Sequence, residues 1–154
     1  MTSCIRPAWQ FRVGSKFMTA LNSEPMPAGP VYTAIGSTTD VVFDAKKSFF
    51  IPGNGRGNVY VQDKCPGRPV DHIQSLFDAA ELGIVMDALA HPGQVDLTRV
   101  ANAVCGQLYA EGINPIDATT GIAFLTAQPN LGVVLGEKVP AEPPLRPYAQ
   151  SAGH

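Results

Sequence analysis

Two short runs of β-branched and aromatic residues constrain this chain most: Val-Tyr-Thr-Ala-Ile at 31–35 and Asn-Val-Tyr-Val-Gln at 58–62. Such runs, bounded by glycine- and proline-rich turns, predict strands. Helical spacing lies on both sides of them. Trp9, Val13, Phe17, Ala20 and Leu21 recur at near-helical intervals and predict an amphipathic helix over 9–22. A second helix is predicted over 75–90, with Leu76, Leu82, Ile84, Val85 and Leu89 on a broad apolar surface and Pro92-Gly93 just beyond its end. Asp96 is placed to cap a further helix through 109, and helical pieces are expected over 118–127 and 131–135. Strands alternating with helices imply an α/β fold with a parallel sheet. In open sheets of that kind the functional residues gather just past the C-terminal ends of the strands.

Composition narrows the function classes. Of 154 residues, 45% are hydrophobic and 16% charged, which is a globular balance rather than a disordered one. Fifteen glycines and fourteen prolines are spread along the chain, so they mark many loops rather than one linker. The formal net charge is −2, and Lys46-Lys47 is the only basic doublet. That argues against nucleic acid and against a polybasic membrane anchor. No apolar run approaches the ~20 residues that span a bilayer. Residues 1–10 lack the charged-then-apolar pattern of a signal peptide, so no secretory address is expected in the chain as written. Three cysteines, Cys4, Cys65 and Cys105, leave at least one unpaired within the chain. The spacing of Cys65, His72, His91 and Cys105 matches no standard zinc pattern. Neither a metal nor another cofactor is expected.

Two ionisable residues stand where chemistry would be placed. Asp40 follows the first predicted strand in the phrase YTAIGSTTDVV, and His72 follows the second in NVYVQDKCPGRPVDH. Loops after neighbouring parallel strands meet at one edge of the sheet. A histidine there can act as a general base if a carboxylate fixes its tautomer and supports the imidazolium. An aspartate in a small polar turn is more often a turn or cap residue, and a lone histidine near a helix start is usually on the surface. Spacing alone leaves both readings open.

Several separated phrases in register resemble a known family: PAWQFRVGSKFMTALN, YTAIGSTTDVV, GNVYVQDKCPGRPVDH and PPLRPYA, covering roughly residues 7–148. They resemble the C-terminal portion of secreted lipases of the α/β-hydrolase superfamily, of the Candida antarctica lipase B type and its actinobacterial relatives. The resemblance implies that Asp40 is the acid and His72 the base of a catalytic triad, in the chain order of that superfamily. It implies a disulfide between Cys65 and Cys105, closing a loop worth roughly 3–4 kcal/mol in the chain-entropy model. It implies an acyl pocket lined by Val42 and Phe43, with residues 122–135 walling its mouth, although aliphatic residues there serve equally as core. It implies ester or acylglycerol substrates and an extracellular setting.

The departures from the family are as informative. No G-x-S-x-G elbow occurs; the closest string, Gly53-Asn54-Gly55-Arg56-Gly57, has Gly55 where the serine would stand. The family's oxyanion-hole residues precede its serine, so none is assigned. Residues 1–154 are therefore expected to form a single partial domain: two parallel strands, flanking helices and an incomplete sheet, without the half that bears the nucleophile. Such a chain is expected to be inactive or nearly so by itself. It would be either a truncated, non-catalytic fragment or a module that complements a serine-bearing partner, and its exposed sheet edge is expected to promote self-association.

Overall fold

The computed structural model describes residues 3–42 and 57–150. The chain divides into two compact units, residues 1–29 with 127–154, and residues 30–126.

In the first unit, strand β1 (Cys4–Ile5) pairs antiparallel with β4 (Lys138–Val139), Cys4 opposite Val139. Trp9 Nε1 donates to the Val139 carbonyl at 3.0 Å, fixing helix α1 (Arg6–Gln10) beside this ribbon. The helix expected over 9–22 is two helices. The chain turns between them at Gly14, whose φ of +75° a residue with a Cβ rarely adopts. Helix α2 (Lys16–Leu21) then starts afresh. Ser15 Oγ accepts from Met18 N at 3.0 Å, and the Glu142 carboxylate accepts from Lys16 N and Phe17 N, both at 2.8 Å. These caps satisfy donors that the first turn leaves open and place negative charge at the positive end of the helix.

The second unit is built on strands β2 (Thr33–Gly36) and β3 (Gly57–Tyr60). They pair parallel, with Ile35 opposite Val59 and Gly36 opposite Tyr60. Among the described residues no third strand joins them. The fold is thus α/β with an incomplete parallel sheet, as the alternation of strands and helices implies. The second strand ends two residues earlier than its composition suggests. Val61 and Gln62 open a one-turn helix, α3 (Val61–Lys64), which carries Val61 into the core. Val61, Cys65, Val70 and Ala80 form that core, with Ile35, Val104 and Cys105 packed against it.

Helix α4 (Ala79–Ala90) begins after a 3-10 turn at Gln74–Leu76. Asp78 is its N-cap: Oδ1 accepts from Ala80 N at 2.9 Å and Glu81 N at 3.0 Å, while Oδ2 accepts from Arg68 Nε at 2.7 Å. The helix expected over 96–109 does not form. Asp96 Oδ1 accepts from Thr98 N at 2.8 Å, but only a 3-10 turn at Asn102–Gly106 follows. The Arg68 guanidinium holds the chain around the end of that turn, donating to the carbonyls of Cys105 (3.0 Å), Gln107 and Leu108 (3.2 Å). The chain is instead drawn out, and Ala110 N bonds the Phe77 carbonyl at 2.9 Å. The two short pieces expected beyond residue 117 are one helix, α5 (Pro115–Leu135), which runs through Pro129. A last single turn, α6 (Pro147–Gln150), closes the described chain. No helix among the described residues is long and apolar enough to cross a membrane.

Candidate active site

The loop after β2 turns at once. Asp40 N donates to the Ser37 carbonyl at 3.3 Å, and Asp40 Oδ1 accepts from Val42 N at 2.7 Å. This turn leaves Oδ2 facing the loop that follows α3. There Val70 is fully buried, and Asp71 Oδ1 accepts from Ile73 N (2.9 Å) and Gln74 N (2.8 Å). Between these anchors His72 presents Nδ1 to Asp40 Oδ2 at 3.0 Å. The Asp40 side chain is 16% exposed and the His72 side chain 39%. A mostly buried carboxylate therefore holds an imidazole whose outer part reaches solvent. An Asp–His contact of this kind fixes which nitrogen carries the proton and stabilises the cation formed when the other nitrogen takes one.

The two loops are also bonded to each other away from this contact. Ser37 Oγ donates to the Val70 carbonyl at 2.6 Å, Thr39 Oγ1 donates to the same carbonyl at 2.9 Å, and Val70 N donates back to Thr39 Oγ1 at 2.9 Å. Gln62 spans both loops from α3: Thr38 N donates to its Oε1 at 2.9 Å, and its Nε2 donates to Ser37 Oγ at 2.9 Å and to the Arg68 carbonyl at 2.8 Å. None of Ser37, Thr39 and Gln62 stands out in the sequence as a site residue. The polar composition of the turn at 37–39 is the only signal, and it reads as ordinary turn chemistry.

Glu81 is a further group that sequence reasoning passes over. It lies in the first turn of α4, and its Oε2 is buried without a hydrogen-bond partner. Burial pushes its carboxyl up from 4.5 to about 7, helped by the negative charges of Asp78 and Asp40. A second His–Asp contact, His91 Nδ1 to Asp87 Oδ1 at 3.0 Å, has a different character. Asp87 is already held by Arg99 (Nε to Oδ1 2.6 Å, Nη2 to Oδ2 2.8 Å), and those hydrogen bonds keep its carboxyl down at about 2. That pair closes the end of α4.

Cys65 and Cys105 are bridged, with Cα atoms 5.4 Å apart. The bridge ties the end of α3 to the 3-10 turn at Asn102–Gly106, and Cys4 is a free thiol. Beside it lies an open depression of about 360 Å³ lined by Arg68, Pro69 and Leu108 among others, and neither Asp40 nor His72 lines it. Val42 is 58% exposed next to the Asp40 turn. Phe43 lies outside the described residues. Residues 122–135 belong to α5, where Phe124 and Leu135 are exposed.

No family model matches the sequence, and no curated protein matches it. Among solved structures, the crystal structure of Aspergillus fumigatus lipase B matches 96% of this chain with a TM-score of 0.79 at 23% sequence identity. The chain spans 38% of the length of that lipase chain. This chain therefore has the fold of part of a lipase.

Proposed function

We propose that this chain supplies the acid and the base of a serine-type carboxylic-ester hydrolase. The observation that carries the reading is the 3.0 Å contact between Asp40 Oδ2 and His72 Nδ1, made by loops that follow two adjacent parallel strands. The likeness in fold to a lipase supports it. In this reading Asp40 accepts from Nδ1–H, so His72 Nε2 is the basic nitrogen. Nε2 takes the proton of a serine hydroxyl as that oxygen attacks the ester carbonyl, and returns it to the departing alkoxide. A water then repeats the cycle on the acyl-enzyme. Substrates are acylglycerols or other hydrophobic esters, with Val42 and Phe43 beside the acyl chain.

The serine and the oxyanion donors come from outside residues 1–154, because no serine of this sequence stands in a G-x-S-x-G elbow. A serine-bearing segment would pack beside the β2–β3 sheet, which no third strand joins among the described residues. Without it the chain is inactive. The Cys65–Cys105 bridge supports an oxidising, extracellular setting.

The test is hydrolysis of p-nitrophenyl butyrate and tributyrin by the 154-residue chain alone and by the chain joined to a serine-bearing N-terminal segment of a lipase of the same fold. The chain alone should run near background, and the joined protein should turn over both esters. Robust activity of the chain alone that disappears in His72→Ala would place a nucleophile within these residues and overturn the division of labour proposed here.

A further inference from the structure

An acid–base pair works only if two independent loops keep it in register. Asp40 and His72 sit 32 residues apart in sequence, on loops that follow different strands. Their contact is 3.0 Å, and a displacement of ~1 Å in either loop would remove the hydrogen bond and with it the tautomer control. The Ser37, Thr39 and Val70 bonds join the loops at one point beside the pair, and a brace at a second point would fix their angle as well.

Gln62 is placed to do so. It lies in the one-turn helix α3, between the two loops, and is partly buried. Its amide is fully engaged with them. On the Asp40 side, Oε1 accepts from Thr38 N (2.9 Å) and Nε2 donates to Ser37 Oγ (2.9 Å). On the His72 side, the second Nε2 hydrogen goes to the Arg68 carbonyl (2.8 Å). Only a side chain with two donors and an acceptor on one rigid plane can make all three bonds together. The Ser37 hydroxyl, receiving from Gln62, turns its own hydrogen to the Val70 carbonyl at 2.6 Å. Val70 and Thr39, bonded to each other, stand two residues before His72 and one before Asp40. The far end of the clamp is rigid as well: Arg68 is held by the buried Asp78, and Cys65 by its disulfide.

We infer that Gln62 is a positioning residue whose side-chain amide locks the Asp40 loop to the His72 loop and sets the register of the proposed acid–base pair. The inference rests on the acid–base reading of Asp40 and His72. Gln62 touches neither residue and acts through Ser37, Thr38 and Arg68.

The test reads the histidine rather than activity. The imidazole ¹⁵N shifts of the full 154-residue chain are measured at a pH where the rings are neutral, in the wild type and in Gln62→Met, which keeps the length of the side chain and removes its donors. The wild type should show His72 as the Nδ1–H tautomer. In Gln62→Met that tautomer should fall from nearly all molecules to a minority, while His91, held by Asp87 elsewhere, keeps its shifts. If His72 stays Nδ1–H in a folded Gln62→Met, the inference is overturned and the acid–base reading stands. If His72 is not Nδ1–H in the wild type, the acid–base reading itself fails. Should Gln62→Met not fold, Gln62→Asn, whose amide is one methylene too short to reach both loops, takes its place. Failure of both to fold would make Gln62 a general structural residue and would equally overturn the inference.

Discussion

Glu81 is the residue whose environment departs furthest from that of an ordinary surface carboxyl. Burial holds its proton to about pH 7 in the folded chain, against 4.5 for an ordinary glutamate. Between those values the folded state binds more protons than the unfolded state, so stability falls as pH rises, and above about 7 the full cost of the buried carboxylate is present. Glu81→Gln removes that charge. It should leave stability nearly unchanged at pH 4.5 and raise it at pH 8 by on the order of 1 kcal/mol, once the partial exposure of the group is allowed for. Thermal unfolding of both proteins at the two pH values checks this, and an equal shift at both would contradict it. Arg68 makes the opposite case. Its guanidinium and the Asp78 carboxylate are both almost wholly buried, 2.7 Å apart. Arg68→Met leaves Asp78 charged and the carbonyls of Cys105, Gln107 and Leu108 without their donor. A loss of about 3–5 kcal/mol in urea unfolding is expected. Asp40, His72, Cys65 and Cys105 were singled out by the family resemblance of the phrases around them, where residue type and spacing alone left other readings open. Ser37, Thr39, Gln62 and Glu81 were not, because hydroxyls, amides and helix-start glutamates are common and gain meaning only from what folding brings against them.

At the scale of elements, the strands and the helix at 79–90 were legible from short-range pattern, and the segment 96–109 was not. Its sequence has a capping aspartate and apolar residues at helical spacing, so local propensity favours a helix. At the C-terminal end of the segment Arg68 fixes the carbonyls of Cys105, Gln107 and Leu108 and Ala110 N bonds the Phe77 carbonyl, tertiary contacts that outweigh a preference of a few tenths of a kcal/mol per residue. The break at Gly14 was missed for the converse reason: an apolar repeat continues through it, and only the backbone angle shows the turn. Helix α4 is held from one side. Ile84 is fully buried, and Gly83 lets Val100 and Val104 approach closely, a Cβ there meeting Val100 Cγ1 at 3.1 Å. Ile84→Ala should cost about 2–5 kcal/mol, read as a lowered midpoint in urea at unchanged slope. The other side of α4 carries Leu82, Met86 and Leu89, all exposed. Their spacing puts them along one face. This apolar face leads us to expect concentration-dependent self-association, measured by sedimentation and reduced in Met86→Lys with Leu89→Lys. A monomer at every concentration would contradict that expectation.

For the molecule as a whole, the fold of part of a lipase and the Asp40–His72 contact support the function we propose, in which these residues would supply the acid and base of an ester hydrolase whose nucleophile lies elsewhere. The disulfide stabilises this half by closing a separation of 40 residues. Replacing both cysteines with alanine should cost about 4 kcal/mol in the chain-entropy model and leave the Asp40–His72 geometry in place below the new transition. The measurement that tests the claim most directly is the turnover of Asp40→Asn in the protein that also carries the serine, with p-nitrophenyl butyrate as substrate. Asparagine keeps the shape of the side chain but favours the wrong tautomer of His72. In Asp40→Asn kcat should fall by about 10⁴-fold while KM and the thermal transition change little. A kcat within a few-fold of wild type in a folded Asp40→Asn protein would contradict it.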